Sequence, residues 1–321
     1  MKYKKSLLIF RRDLRTQDNT ALNAAIEHSQ HVIPCFIFDP RQVSDSNEYR
    51  SMNAIQFMVE SLQDLHADIA QKNGKLFLFY GAADEVIEQL LKKENINAIF
   101  LNQDYTPFSI KRDKTIAALC QKYEAAFHAH QDAMLQEPDT VRKHDGNPYT
   151  VFTPYWKKAT SLKVRKPHSK RNYNFYKGSI DSSTSTSIFK KVCQYENQKL
   201  HVHGGRKNAL KLLRKLTNLK NYKKVRDFPA FDTSNLSAHL KFGTISMREA
   251  HYNSAQKYKI SALARQLHGR DFYTQIAYHF PYVFNGAFQK KYDKLKWSLS
   301  RTNFAQWCKG QTGYPIVDAG M

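Results

Sequence analysis

The chain has 321 residues, enough for two domains with substantial cores, and a net charge of +22 that points to a polyanionic partner. Four scattered cysteines (Cys35, Cys120, Cys193, Cys308) form no C-x-x-C or Cys/His cluster, which argues against a structural zinc and for a reducing, cytoplasmic or nuclear setting. No apolar run approaches the length of a membrane span, and Leu7–Phe10 is too short for a secretory signal, so a membrane role is not expected.

Residues 1–130 alternate between two periods. Ser6–Phe10 reads as a first strand, Asp18 as the cap of a helix to about Ser29, and His31–Phe38 as a second strand in which Pro34 suggests an edge or an irregular point. Residues 49–73 show helical spacing stopped by Gly74, followed by strand Leu76–Tyr80, helix Asp84–Lys93, strand Ala98–Leu101, helix Ile110–Tyr123 and strand Phe127–His130. Alternation of this kind implies an α/β domain with a doubly wound parallel sheet. Ligands in such sheets sit beyond the carboxyl ends of the strands, so the loops Arg11–Arg15, Asp39–Arg41 and Asn102–Tyr105 are the ones to watch. Arg12 and Asp13 serve equally well as ties to a neighbouring domain. With no G-x-G-x-x-G after the first strand, an ordinary NAD domain is excluded.

Periodicity fades over residues 131–203, read as an interdomain connector. Asp145–Pro148 is a turn signal, and the Ser/Thr-rich run Ser179–Ser187 is expected to be mobile. Residues 204–321 are helical throughout. Residues 1–130 carry 16 Lys+Arg and 16 Asp+Glu, so the whole excess of +22 falls on 131–321, the footprint of a lobe that meets nucleic acid.

The most informative stretch is Tyr222–Gly243, where Arg226-Asp227-Phe228-Pro229 precedes Thr233-Ser234-Asn235-Leu236-Ser237 at the apparent start of a helix. Hydroxyls beside the free N–H groups of a helix start could seat a pyrophosphate; an ordinary helix cap is the alternative. Together with FRRDLRTQDNTAL, Val151-Phe152-Thr153-Pro154, Gly204-Gly205-Arg206, Arg270-Asp271-Phe272-Tyr273 and Thr312-Gly313-Tyr314-Pro315-Ile316-Val317-Asp318-Ala319, it resembles the DNA photolyase and cryptochrome family.

That resemblance implies an all-α FAD-binding domain after the α/β domain, here incomplete because the match ends inside a helix that the family continues. It also implies a monomer acting as a carbon-carbon lyase, a deoxyribodipyrimidine photo-lyase that splits UV-induced pyrimidine dimers in DNA by electron transfer from reduced FAD. Thr233, Ser234, Asn235, Leu236, Ser237 and Arg270 would hold FAD, with Tyr222 over the cofactor. Arg226, Gln266, Gly269 and Arg270 would meet the damaged DNA, and Trp307 would be the outermost of the electron-relay tryptophans.

Two positions depart from the dimer-repair pattern. Gln266 stands where a carboxylate is usual, and an amide cannot exchange a proton as an acid does. Gly269 stands where a tryptophan is usual, removing an aromatic contact. These departures keep a cryptochrome-like photoreceptor and an inactive remnant open. A second, light-harvesting chromophore, folate or deazaflavin, is also implied. Phe108 and Ser109 replace the Asn-Glu pair of folate users, so its identity stays open.

Overall fold

In the computed structural model, which describes all residues except Met1, Arg171, Tyr195 and Pro229, five parallel strands form one sheet. These are β1 (Tyr3–Phe10), β2 (Ser29–Phe38), β3 (Phe77–Tyr80), β4 (Ala98–Asn102) and β5 (Ala126–His130), in the order β3-β2-β1-β4-β5. The helices α1 (Thr20–His28), α2 (Pro40–Val43), α3 (Met52–Gln71), α4 (Ala83–Lys93) and α5 (Pro107–Lys122) complete the lobe. Alternation along each strand sorts its side chains into two cores. Leu8, Phe10, Val32, Phe36 and Phe100 pack with Leu22 and Leu62 on one face, whereas Leu7, Ile9, Ile33 and Ile99 pack with Ile87, Leu90 and Ile116 on the other. This is the doubly wound sheet expected from the alternating pattern.

Pro34 marks an irregular point and not an edge, and the capping role expected of Asp18 is corrected. Pro34 lies on an interior strand, opposite Leu8. Val32 donates to Asn174 O (3.0 Å) and accepts from Tyr176 N (2.8 Å), while pairing to β3 begins at Cys35, so the missing N–H of Pro34 falls where the ladder changes partner. Asp18 does not cap α1. Asn19 does, accepting from Leu22 N at 3.1 Å, and Asp18 takes a left-handed backbone (φ 49°) with its carboxylate turned to Arg248.

Residues 131–203 contain α6 (Phe152–Thr160) and α7 (Ile188–Val192). The run Ser179–Ser187, expected to be mobile, is docked on the sheet. Ile180 is buried, and Thr184 N donates to Leu78 O at 2.7 Å, giving the exposed side of β3 a partner.

The helical lobe comprises α8 (Arg206–Lys215), α9 (Tyr222–Val225), α10 (Ser237–Phe242), α11 (Met247–His251), α12 (Ser261–His279), α13 (Arg301–Cys308) and α14 (Pro315–Asp318). Its core gathers Leu213, Leu216, Tyr222, Leu236, Leu240, Ile245, Met247, Leu263 and Leu267. The start of α8 rests on α3: Gly204 N donates to Glu60 Oε2 (2.5 Å), Gly205 N to Ser61 Oγ (3.0 Å) and Arg206 N to Asp64 Oδ2 (2.8 Å). A Cβ on Gly204 would lie 2.2 Å from Phe57 O, so only glycine allows that approach. Between Pro281 and Met321 no residue is buried, and Trp297, Leu299, Phe304, Tyr314 and Ile316 are largely exposed.

Candidate functional site

The pentapeptide Thr233–Ser237 leads into α10 but does not cap it. The N-cap position is Leu236, and no side chain bonds the first turn. Leu236 is instead an anchor, buried in the helical core at 1% exposure. The polar groups around it stay available: Thr233 and Ser237 are exposed, Ser234 and Asn235 half-buried. Asn235 takes a left-handed backbone (φ 51°), a conformation its short amide tolerates and which turns the chain into the helix. Its Oδ1 lies 3.4 Å from both Thr233 Oγ1 and His201 Nε2.

Tyr222 closes this segment against α12, donating from Oη to Gln266 Oε1 at 2.7 Å. Burial raises the Tyr222 phenol pKa, while Arg226 and the hydrogen bonds it shares with Gln266 and Ser234 pull it back. Tyr222, Ser234, Arg226 and Gln266 are thus brought together. Arg226 also reaches Asp227 at 3.6 Å. Pro229 of the same motif lies outside the described residues.

Arg270 is one turn beyond Gln266 on the same face of α12. Its Nη1 donates to Ala133 O (2.6 Å) and its Nη2 approaches Leu240 O (3.4 Å), so it meets α10 at the opposite end from Ser237. Burial lowers its pKa, partly offset by Asp271. Gly269 faces Phe152, whose ring carbons lie 3.9 Å from where a Cβ would be, leaving a slot beside Arg265, which stacks on Phe152 and Trp156. Trp307 stands apart. It is 44% exposed, its ring contact is with Phe304, and among the described residues no contact joins it to Gln266 or Arg270.

Two neighbouring cavities open at the carboxyl ends of β1, β2 and β4, where the watched loops lie. One, of about 420 Å³, is bounded by Arg11–Asp13, Asn102–Thr106, Leu240, Lys241, Arg270 and Tyr273. The other, of about 660 Å³, is bounded by Phe10, Arg12, Asp39, Arg41, Tyr49 and Phe108. Phe108 lies between the guanidiniums of Arg41 and Arg112, at 5.5 and 5.8 Å from its ring centre.

The seam between the lobes holds residues that the sequence reading missed. Arg15 Nη2 donates to Asp132 Oδ2 (2.5 Å), while Arg248 reaches Asp132 Oδ1 and Asp18 Oδ2 (both 2.7 Å). All four side chains are at most 4% exposed. Burial alone would raise the Asp132 pKa, but the two guanidiniums outweigh it and hold the carboxyl well below the usual range. Three residues along the chain, Leu135 N and Gln136 N donate to Asp271 Oδ2 (2.7 and 3.2 Å). Burial pushes the Asp271 pKa up to about 7 against the pull of Arg270 and those two amides. Only a lone carboxylate amid remote arginines could have signalled this network, and nothing local marks such a pairing.

With this geometry in place, residues 6–171 match the family model described as DNA photolyase, and residues 263–321 match the FAD binding domain of DNA photolyase. This chain belongs to the DNA photolyase family. Among its photolyase-family relatives, a deoxyribodipyrimidine photo-lyase of Alkalihalophilus pseudofirmus is 31% identical, over 97% of this chain and 67% of that protein. Cryptochrome-2 of Arabidopsis thaliana is 26% identical, over 99% of this chain and 56% of its own length. A crystal structure of an archaeal photolyase from Sulfolobus tokodaii with two FAD molecules superposes with a TM-score of 0.88 at 38% identity, covering 99% of this chain and 69% of that one.

FAD, the cofactor of this family's helical domain, matches the donor set present. The hydroxyls of Thr233 and Ser234, ahead of α10, and of Ser237, its first residue, are not spent on capping, which suits a diphosphate.

Proposed function

We propose that the chain works as a light-dependent DNA repair flavoprotein acting on UV-induced pyrimidine dimers. The observation that carries this reading is the Tyr222–Gln266 hydrogen bond, which ties the segment before the Thr233–Ser237 loop to an exposed amide on α12. FAD, when bound and reduced, supplies the photoexcited electron donor. Thr233, Ser234, Asn235 and Ser237 donate to its diphosphate, Leu236 anchors their loop, Tyr222 covers the groove, and Arg270 adds positive charge one turn beyond Gln266. Arg226 holds a DNA phosphate. Gln266 offers hydrogen bonds to the lesion, and Gly269 leaves the slot beside Phe152 for it. Trp307 is the ring assigned to electron entry from solvent.

The 660 Å³ cavity is the proposed seat of a second chromophore. Phe108 between two guanidiniums suits a planar, electron-rich ring, and the Sulfolobus tokodaii photolyase carries two FAD molecules. We therefore assign it a flavin-type antenna in preference to folate.

A photoreceptor reading is favoured by Gln266 and Gly269, which supply neither an exchangeable proton nor a stacking ring. Absorbance of the purified protein separates the readings. A flavin spectrum with blue-light splitting of dimers in UV-irradiated oligonucleotides supports repair, flavin without splitting supports the receptor, and no flavin overturns both.

A further inference from the structure

Residues 206–226 contain nine Lys or Arg and no Asp or Glu. Helix α8 buries Ala209 and Leu213 and turns Lys207, Lys211, Arg214 and Lys215 to solvent, a spacing that keeps all four on one face. The exposed series resumes after Leu216–Asn218 with Lys220, Lys223 and Lys224 and ends at Arg226, beside Tyr222 and the groove. Arg206 is paired with Glu249, Lys207 reaches Asp64 at 3.9 Å, and Arg226 reaches Asp227. Among the described residues, Lys211, Arg214, Lys215, Lys220, Lys223 and Lys224 make no ion pair.

Six like charges over so short a stretch repel one another, and among the described residues none of the six has an acidic partner within ion-pair distance. The stripe is also free of exposed large apolar side chains, which an interfacial membrane helix would present. A duplex presents one negative charge about every 1.7 Å of its axis, and α8 alone extends roughly 15 Å.

We propose that this stripe is a second DNA-contact track, leading away from the lesion groove along α9 and α8 and holding phosphates of the flanking duplex. It rests on the DNA-binding reading above and extends the footprint beyond the groove. Phosphate contacts position a duplex without reading its sequence, so the track acts equally on damaged and intact DNA.

The test is duplex binding across a salt series by the native chain, a K211Q/R214Q/K215Q variant and an R226Q variant, on UV-irradiated and unirradiated 30-base-pair DNA. Each lost phosphate contact lowers the slope of log affinity against log salt by about 0.9. Between 50 and 200 mM salt, the native chain is therefore expected to lose about 40-fold more affinity than the triple variant. The preference for irradiated DNA should be the same in both. The three side chains are exposed, so an unchanged thermal midpoint and far-UV circular dichroism spectrum verify folding. A triple variant with the native slope overturns the track, while weakened binding by R226Q in that experiment leaves the DNA reading standing. A native chain that binds neither duplex at 50 mM salt overturns both. Tighter binding to phosphatidylserine vesicles than to duplex also overturns the track.

Discussion

The seam between the lobes and the groove at Thr233–Ser237 are both polar, and they treat their polar groups in opposite ways. At the seam, Asp132 is bracketed by Arg15 and Arg248, and Asp18 shares Arg248. These charges leave water only because opposite charges and hydrogen bonds meet them, and removing one partner strands the rest. In the loop, Thr233 and, at the start of α10, Ser237 remain in solvent, and no side chain caps that helix. A buried network of paired charges serves the fold, whereas exposed hydroxyls on an anchored loop are free for a ligand.

Four variants sharpen or break that contrast. Asp132→Ala leaves two guanidiniums buried without their carboxylate and should cost about 3–5 kcal/mol in urea unfolding. Because the Asp132 pKa is depressed in the fold, its contribution is present above the unfolded carboxylate value of about 3.9 and is lost as pH falls below it. Asp271 behaves with the opposite sign. With its pKa raised to about 7, its stabilising contribution is complete at low pH and is lost as pH rises from about 4 through 7, a change on the order of a few kcal/mol. Asp271→Asn should flatten that part of the stability-against-pH curve, and an unchanged curve would sink the assignment.

Gly243→Ala follows. Gly243 has φ 67°, and a Cβ there would lie 2.1 Å from Arg12 O, so a loss of about 1–3 kcal/mol or more is expected, read as a lower thermal midpoint. The smallest effect on stability belongs to Ser234→Ala with Ser237→Ala, within about 0.5 kcal/mol, accompanied by a fall in retained flavin absorbance. If this pair destabilised the fold as Asp132→Ala does, the groove would be structural and the contrast would collapse.

Much of the sheet lobe was legible because buried strands and amphipathic helices write their period locally, as in Ala98–Asn102 and Ala83–Lys93. The Thr233–Ser237 loop was legible as a segment leading into a helix, although its hydroxyls turned out not to cap that helix. The seam was not, because Arg15 and Asp132 are 117 residues apart and Asp18 and Arg248 are 230 apart. Ser179–Ser187 misled for a related reason: its low complexity carries no period, and its order comes from the free edge of β3. Pro34 was legible as an irregular point, but not which one, because a remote connector segment lies beside it before pairing to β3 begins.

Segment 132–136 ties together the loop after β1, α11 and α12 through Asp132, Ala133, Leu135 and Gln136. Tilting one lobe against the other would break these contacts at once, so the strut makes the two halves a single optical bench. Whatever is held in one lobe would keep a constant separation and mutual angle to whatever is held in the other, because folding sets that geometry once.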